Sequence, residues 1–209
     1  YIYIDICMNN KVKIISYNIC ALSWWCNMFG DPLNRIFGII DFLIKKDPDV
    51  ICLQEVFDTG IFYILNTRLL NEGYNCYQPK RLNNYFNSGL VVFSKTKLHD
   101  CTYEKFVDTC GEDKYCDKGF ITLTTKIQDN TFTIINTHLN ADAFFSTYEK
   151  CEETRLHQMS QLQKNISCKS KNDIILCGDF NIDFTSITGK KIYNKIKGIS
   201  SSCTNSKKM

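Results

Sequence analysis

"IILCGDFNID", residues 174–183, decides how the rest of the chain is read. The apolar run Ile174-Ile175-Leu176-Cys177 has the length and composition of a buried strand. It halts at Gly178, and Asp179, Phe180, Asn181, Ile182 and Asp183 follow without a break. Residues two apart on an extended chain project to the same side, so Asp179 and Asn181 would leave the strand's end together. A turn is the competing reading, because Asn and Asp readily bond their own backbone in turns. Whether other strands end in the same way separates the two.

Three others do. "KVKIISYNIC" (11–20) becomes polar at Tyr17-Asn18, "DVICLQEV" (49–56) at Gln54-Glu55, and "TFTIINTHL" (131–139) at Thr137-His138, with Asn140 just beyond. In a sheet-based domain such residues converge at one edge, where ligands are commonly held on a rigid scaffold. Asn, Gln, Glu and Asp with a single His make a hard oxygen set, the preference of Mg²⁺. Zinc would call for more His or Cys.

The elements between these strands set the architecture. Asp31-Pro32 opens a helix, with Asp as cap and Pro at the first position. Leu33, Ile36, Phe37, Ile40, Leu43 and Ile44 carry its helical period up to Lys45-Lys46. Thr59 to Asn71 is a second helix closed by Gly73, and "SGLVVFSK" (88–95) is a strand. "KGFITLTTKI" (118–127) and "TFTIINTHL" form a hairpin across Asp129-Asn130. "TRLHQMSQLQKNI" (154–166) is an amphipathic helix, and "TGKKIYNKIKG" (188–198) a last short one. Alternating strands and helices interrupted by one hairpin predict an α/β fold with mixed sheets, two of them packed together.

With 209 residues, 44% apolar and 22% charged, the chain suits one domain across 1–209 with a sizeable core. A net charge of +3 neither requires nor excludes a polyanionic partner. No apolar stretch approaches the roughly 18 residues of a spanning helix, so no transmembrane segment is expected. "YIYIDICMNN" (1–10) lacks the marks of a secretory leader, and a start at Tyr1 rather than Met leads us to expect sequence upstream. Of the 12 cysteines, Cys20, Cys52 and Cys177 lie in or beside apolar runs as small hydrophobes, whereas Cys101, Cys110, Cys116 and Cys151 lie in polar sequence where pairing is open to them.

The ordered set "SYNIC", "CLQEVFD", "SGLVVFSK", "NTHLNAD" and "GDFNID", over roughly residues 11–184, resembles the endonuclease/exonuclease/phosphatase superfamily. Within it, Val56-Phe57-Asp58 after Glu55, the "CGEDKYCDKGF" stretch (110–120) and "THLNA" resemble the neutral, bacterial-type sphingomyelinases. The resemblance implies a DNase I-like four-layer α/β/β/α sandwich of two mixed sheets. It implies Mg²⁺, with Mn²⁺ or Co²⁺ as alternatives, held by Glu55. It further implies Asn18 assisting metal or phosphate, His138 contacting the scissile phosphate, and Asp179 and Asn181 orienting nucleophile and phosphate. Lys118 is a candidate phosphate contact, and a solvated loop lysine is the competing reading.

Cys110 and Cys151 match positions that are disulfide-linked in the secreted enzymes; a Cys110–Cys116 pair or free thiols are alternatives. Arg155 and Gln158 also recur at matching positions, and their spacing on one helix face reads as structural. Trp24-Trp25 and Phe144-Phe145 are candidate interfacial contacts. The partner implied is a phospholipid headgroup at a membrane surface, with a secreted or peripheral location. Nucleic acid fits less well, since a nuclease would carry a basic groove.

One departure stands out. The family's general base is a His in a late Asp-His pair, and neither His99 nor His157 sits in such a motif; nothing after Asp183 supplies one. The expectation is a chain truncated at its C-terminus, its last strands missing, that by itself binds Mg²⁺ weakly and hydrolyses little. A nuclease or phosphoinositide phosphatase of the same fold is the first alternative, and a catalytically dead binding module the second.

Overall fold

The computed structural model describes residues 2–7, 11–22, 32–82, 85–169, 172–183 and 185–197. In chain order the elements are β1 (Ile2–Cys7), β2 (Lys11–Ala21), α1 (Pro32–Lys46), β3 (Val50–Val56), α2 (Thr59–Asn71), β4 (Asn75–Tyr77), β5 (Val91–Ser94), β6 (Leu98–Lys105), β7 (Gly119–Ile127), β8 (Asn130–His138), α3 (Tyr148–Lys169), β9 (Asp173–Asp179) and α4 (Ile187–Lys197). A short 3₁₀ turn occupies Gly111–Tyr115.

The strands form a five-stranded sheet, β1-β2-β3-β5-β4, and a four-stranded one, β6-β7-β8-β9. Both are mixed. β2 runs parallel to β3, and β8 parallel to β9, while the other ladders are antiparallel. Three apolar layers stack through the molecule. Ile36, Ile40 and Leu43 of α1 and Ile61, Leu65 and Leu69 of α2 cover Ile15, Ile51, Leu53 and Phe93 of the first sheet. Ile14, Val50, Cys52 and Val92 then face Ile121, Leu123, Ile134 and Ile175 of the second. Phe120 and Ile135 back onto Met159 and Leu162 of α3 and Ile192 of α4. This is the α/β/β/α sandwich that the family resemblance implied, built on the two packed mixed sheets expected from the elements.

The strand period of two sorts the four strands that meet at the site between layers. Along β2 the inter-sheet row is Val12, Ile14, Ser16, Asn18; along β3 it is Val50, Cys52, Gln54; along β8, Phe132, Ile134, Asn136, His138; along β9, Ile175, Cys177, Asp179. Every row is apolar in the middle and polar at its carboxyl end. The two parallel pairs put those ends at the same edge.

Both early helices occupy the residues expected, α2 being followed by Gly73 at φ +84°; Asp58, not read beforehand as a cap, accepts from Ile61 N at 2.9 Å, and Asp31, the expected cap of α1, lies outside the described residues. α3 starts six residues earlier than its apolar period indicated, because Thr147 caps it through Lys150 N. The β7–β8 hairpin turns at Gln128-Asp129, one residue before the expected dipeptide, with Asn130 already paired to Ile127. β1, β4 and β6 were not legible beforehand.

Candidate active site

Asn18, at the end of β2's inner row, joins the sheets. Its Nδ2 donates to Glu55 Oε1 at 2.7 Å and to Asp179 Oδ2 at 2.9 Å, while its Oδ1 accepts from Cys20 N. Arg35 of α1 secures that corner by donating to the carbonyls of Ile19 and Cys20.

Glu55 breaks the strand parity, since residues 51 and 53 face the helices. It reaches the inter-sheet edge because its backbone is left-handed at φ +57°. Cys20 (φ +49°) and Asn181 (φ +49°) share that conformation, so three of the six non-glycine residues with positive φ among the described residues lie around this cluster. Such backbone is uncommon outside glycine and concentrates at functional sites.

The opening stretch adopts the competing reading, a turn. β9 stops at Asp179, and Asn181 folds back in a turn: its N–H donates to Asp179 Oδ1 at 2.9 Å and its Nδ2 to Leu139 O at 3.0 Å. The two residues meet through a turn rather than along an extended chain. Leu139 N donates in turn to Asp179 O, so β8 and β9 are pinned together just past His138.

His138 is buried, with Nε2 3.1 Å from Lys118 Nζ and 3.9 Å from Glu55 Oε1. Lys118 is only 2% exposed, which overturns its reading as a solvated lysine. Its ammonium also reaches Leu139 O at 3.4 Å and Asp113 Oδ1 at 3.4 Å, and these partners are what make its burial tolerable. An ammonium has only protons to give, so Nε2 accepts and the imidazole proton resides on Nδ1. Among the described residues Nδ1 has no partner. Burial first, and the Lys118 charge second, hold His138 well below the usual imidazole range. It is therefore a neutral hydrogen-bonding group at this edge and a poor proton acceptor.

That depression has a measurable sign. In the unfolded chain His138 takes up a proton near pH 6.5, whereas in the folded chain it stays neutral to lower pH. Between those values the unfolded state binds the extra proton, so stability falls as pH drops, by up to ~1.4 kcal/mol per pH unit from this group. His138→Gln should remove one proton's share of the slope in urea unfolding from about pH 6.5 to 5. An unchanged slope would mean the imidazole is not held neutral.

Among the described residues no three His, Cys, Asp or Glu side chains converge as a metal cage. The donors present nonetheless fit Mg²⁺. A carboxylate and a second carboxylate joined to it through a carboxamide are what that ion accepts, since it usually keeps several waters and takes one or two protein carboxylates. Glu55 is the residue that would hold it.

The loop after β8 was underestimated in the sequence. Asn140 accepts from Cys110 N and donates to Ala141 O, its N–H donates to Gln158 Oε1, and its carbonyl accepts from Arg155. Arg155 also binds Asp142 at 2.8 Å. Arg155 and Gln158 thus hold this loop, as their shared helix face indicated. Cys110 Sγ lies 3.4 Å from Cys151 Sγ, so the fold brings these two cysteines together. Phe144 and Phe145 stand 95% and 86% exposed at the loop's tip. Trp24-Trp25 lie outside the described residues.

Two mixed sheets packed face to face between helices, with carboxylates, carboxamides and one imidazole at the ends of the inner strands, define the DNase I-like class. The chain belongs to the endonuclease/exonuclease/phosphatase family, whose model matches residues 15–197. It is similar to sphingomyelinase C of Bacillus cereus, with 26% identity over 195 residues covering 84% of this chain and 58% of that protein. The chain thus spans less than two thirds of that relative's length. Among solved structures it resembles SmcL, with a TM-score of 0.78 at 22% identity, covering 89% of this chain and 69% of that one. A beta toxin from Staphylococcus aureus with bound magnesium ions gives a TM-score of 0.79 at 19% identity, covering 88% and 69%. At these identities the structural likeness is one of fold.

Proposed function

We propose that the chain forms the phosphate-handling face of a Mg²⁺-dependent phosphodiesterase that cleaves sphingomyelin to ceramide and phosphocholine. The observation that carries it is the Asn18 bridge, which gathers Glu55 and Asp179 from opposite sheets into one cluster beside His138 and Lys118. The likeness to sphingomyelinase C selects the substrate.

Bound at Glu55, Mg²⁺ would neutralise charge on the non-bridging phosphate oxygens and assist the departing oxygen. Asn18 spaces the two carboxylates. Asp179, held by the Asn181 turn, orients the attacking water. Lys118 adds fixed positive charge beside the phosphate and keeps His138 neutral at this edge. Cleaving a bilayer lipid also requires the protein to rest on the membrane, and the two exposed phenylalanines leave β8 only a few residues past His138. Their loop is braced by Phe144 N to Glu112 Oε1 and Ala141 N to Asp113 Oδ2. Phe144→Ala with Phe145→Ala should reduce cosedimentation with sphingomyelin vesicles about tenfold or more, from the lost burial of two large side chains, and leave the melting temperature unchanged. Equal sedimentation of variant and parent would remove this loop from the docking surface.

Sphingomyelin vesicles, plasmid DNA and a soluble inositol phosphate, offered in parallel with Mg²⁺ to the native gene product, test the reading as a whole. Release of phosphocholine in preference to the other two reactions supports it. Preferential nicking of DNA would make the protein a nuclease of the same fold.

A further inference from the structure

The layer between the sheets is largely apolar, with one polar contact at its far end, Ser94 with Thr125, and another directly beneath the site. There Gln54, 1% exposed, and Asn136, fully buried, meet across the gap. Gln54 Nε2 donates to Asn136 Oδ1 at 2.7 Å, and to Ser16 Oγ and Cys52 O at 3.2 Å each. Asn136 Nδ2 donates to Leu53 O at 3.0 Å and Val91 O at 3.2 Å. Leu53 and Val91 are the last residues paired between β3 and β5. Beyond them the strands part around two left-handed residues, Glu55 at φ +57° and Gly89 at φ +68°, before Val56 N regains Gly89 O at 2.9 Å. Asn136 therefore reaches over from the other sheet and takes both carbonyls at the point where the ladder opens.

Leaving a buried carbonyl unpaired costs about 1–3 kcal/mol, so the opening needs a donor from outside its own sheet. An apolar pair would fill the volume and supply none. We propose that Gln54 and Asn136 are positioning residues: they hold the β3–β5 opening that turns Glu55 out of its helix-facing row, and so fix Glu55 relative to His138, two residues beyond Asn136. Neither touches the substrate. The inference rests on Glu55 as the metal ligand of the proposed function.

The test reads Mn²⁺ affinity by electron paramagnetic resonance beside the melting temperature, in the parent, Asn136→Leu, Gln54→Leu with Asn136→Leu, Gln54→Met, and Ile134→Ala as a cavity in the same layer. Ile134→Ala should lower the melting temperature and leave affinity alone. Asn136→Leu should lower both. The double leucine variant, with both polar partners gone, should regain part of the melting temperature yet bind Mn²⁺ at least tenfold more weakly than the parent. Gln54→Met keeps the side chain's length and the Asn136 contacts to both carbonyls, and should still weaken binding severalfold; this arm reports even where the leucine variants do not fold. Parental affinity in the double variant, or in Gln54→Met where that variant alone folds, would overturn the inference. A parent that binds no Mn²⁺ would instead overturn Glu55 as a ligand.

Discussion

Glu55→Gln is expected to abolish measurable Mg²⁺ binding while leaving the melting temperature within a few degrees of the parent. The carboxamide has the same shape, still accepts from Asn18, and sits on the same left-handed backbone, so folding loses little. What disappears is the full charge at the proposed metal ligand. A dehydration-reluctant cation held by one or two carboxylates cannot exchange one for a neutral oxygen without losing most of its affinity, about a hundredfold or more. In the native gene product, turnover should fall by roughly 10³-fold or more, since metal stabilisation of the developing charge is worth several kcal/mol and each ~1.4 kcal/mol is a factor of ten. Calorimetric titration with Mg²⁺ checks the first part and phosphocholine release the second. Unaltered binding would move the metal away from Glu55, with Asp179 next in line.

Much of this site was legible because it obeys the strand period. Asn18, His138 and Asp179 are the last inward residues of rows that begin with valine, phenylalanine and isoleucine, and a row that changes from apolar to polar at its end can be recognised without coordinates. The helices were equally open to reading where a start or a stop was written, as at Pro32 and Gly73. What could not be read depended on contacts distant in sequence. Glu55 lies on the wrong parity for the site, and only the left-handed turn supported by Asn136 explains its place. Lys118 looks like a loop lysine until Asp113, His138 and Leu139 close around it. β6 "LHDCTYEK" shows no clean alternation and is half exposed, and β4 has three residues. The metal-ligand and phosphate-contact roles came from the resemblance; the residue chemistry supplied only the preference for a hard cation.

Gly178→Ala is expected to be the most damaging single methyl addition near the site. Gly178 lies at φ +148°, a conformation reserved for glycine, and pairs with Thr137 across the parallel β8–β9 ladder. A Cβ there would stand 2.2 Å from Thr137 O and 2.9 Å from its Cγ2. The first is backbone in the middle of a sheet and has nowhere to retreat. Backbone strain of about 1–3 kcal/mol combines with the displacement of β9, for a total of roughly 3–5 kcal/mol, at the upper end of what single substitutions cost. For a domain of this size that is a fall in melting temperature of about 10–15 °C. The same displacement moves Asp179, one residue on, away from Asn18 and from its place opposite His138. Protein that still folds should therefore bind Mn²⁺ more weakly as well. A control such as Gly38→Ala, on α1 where an added Cβ meets nothing within 4 Å, should leave both measurements unchanged or slightly raise stability. A melting temperature for Gly178→Ala within about 3 °C of the parent would show that β9 can slide to accommodate the methyl group. The close approach of β8 and β9 would then not be what holds Asp179 at the edge of the site.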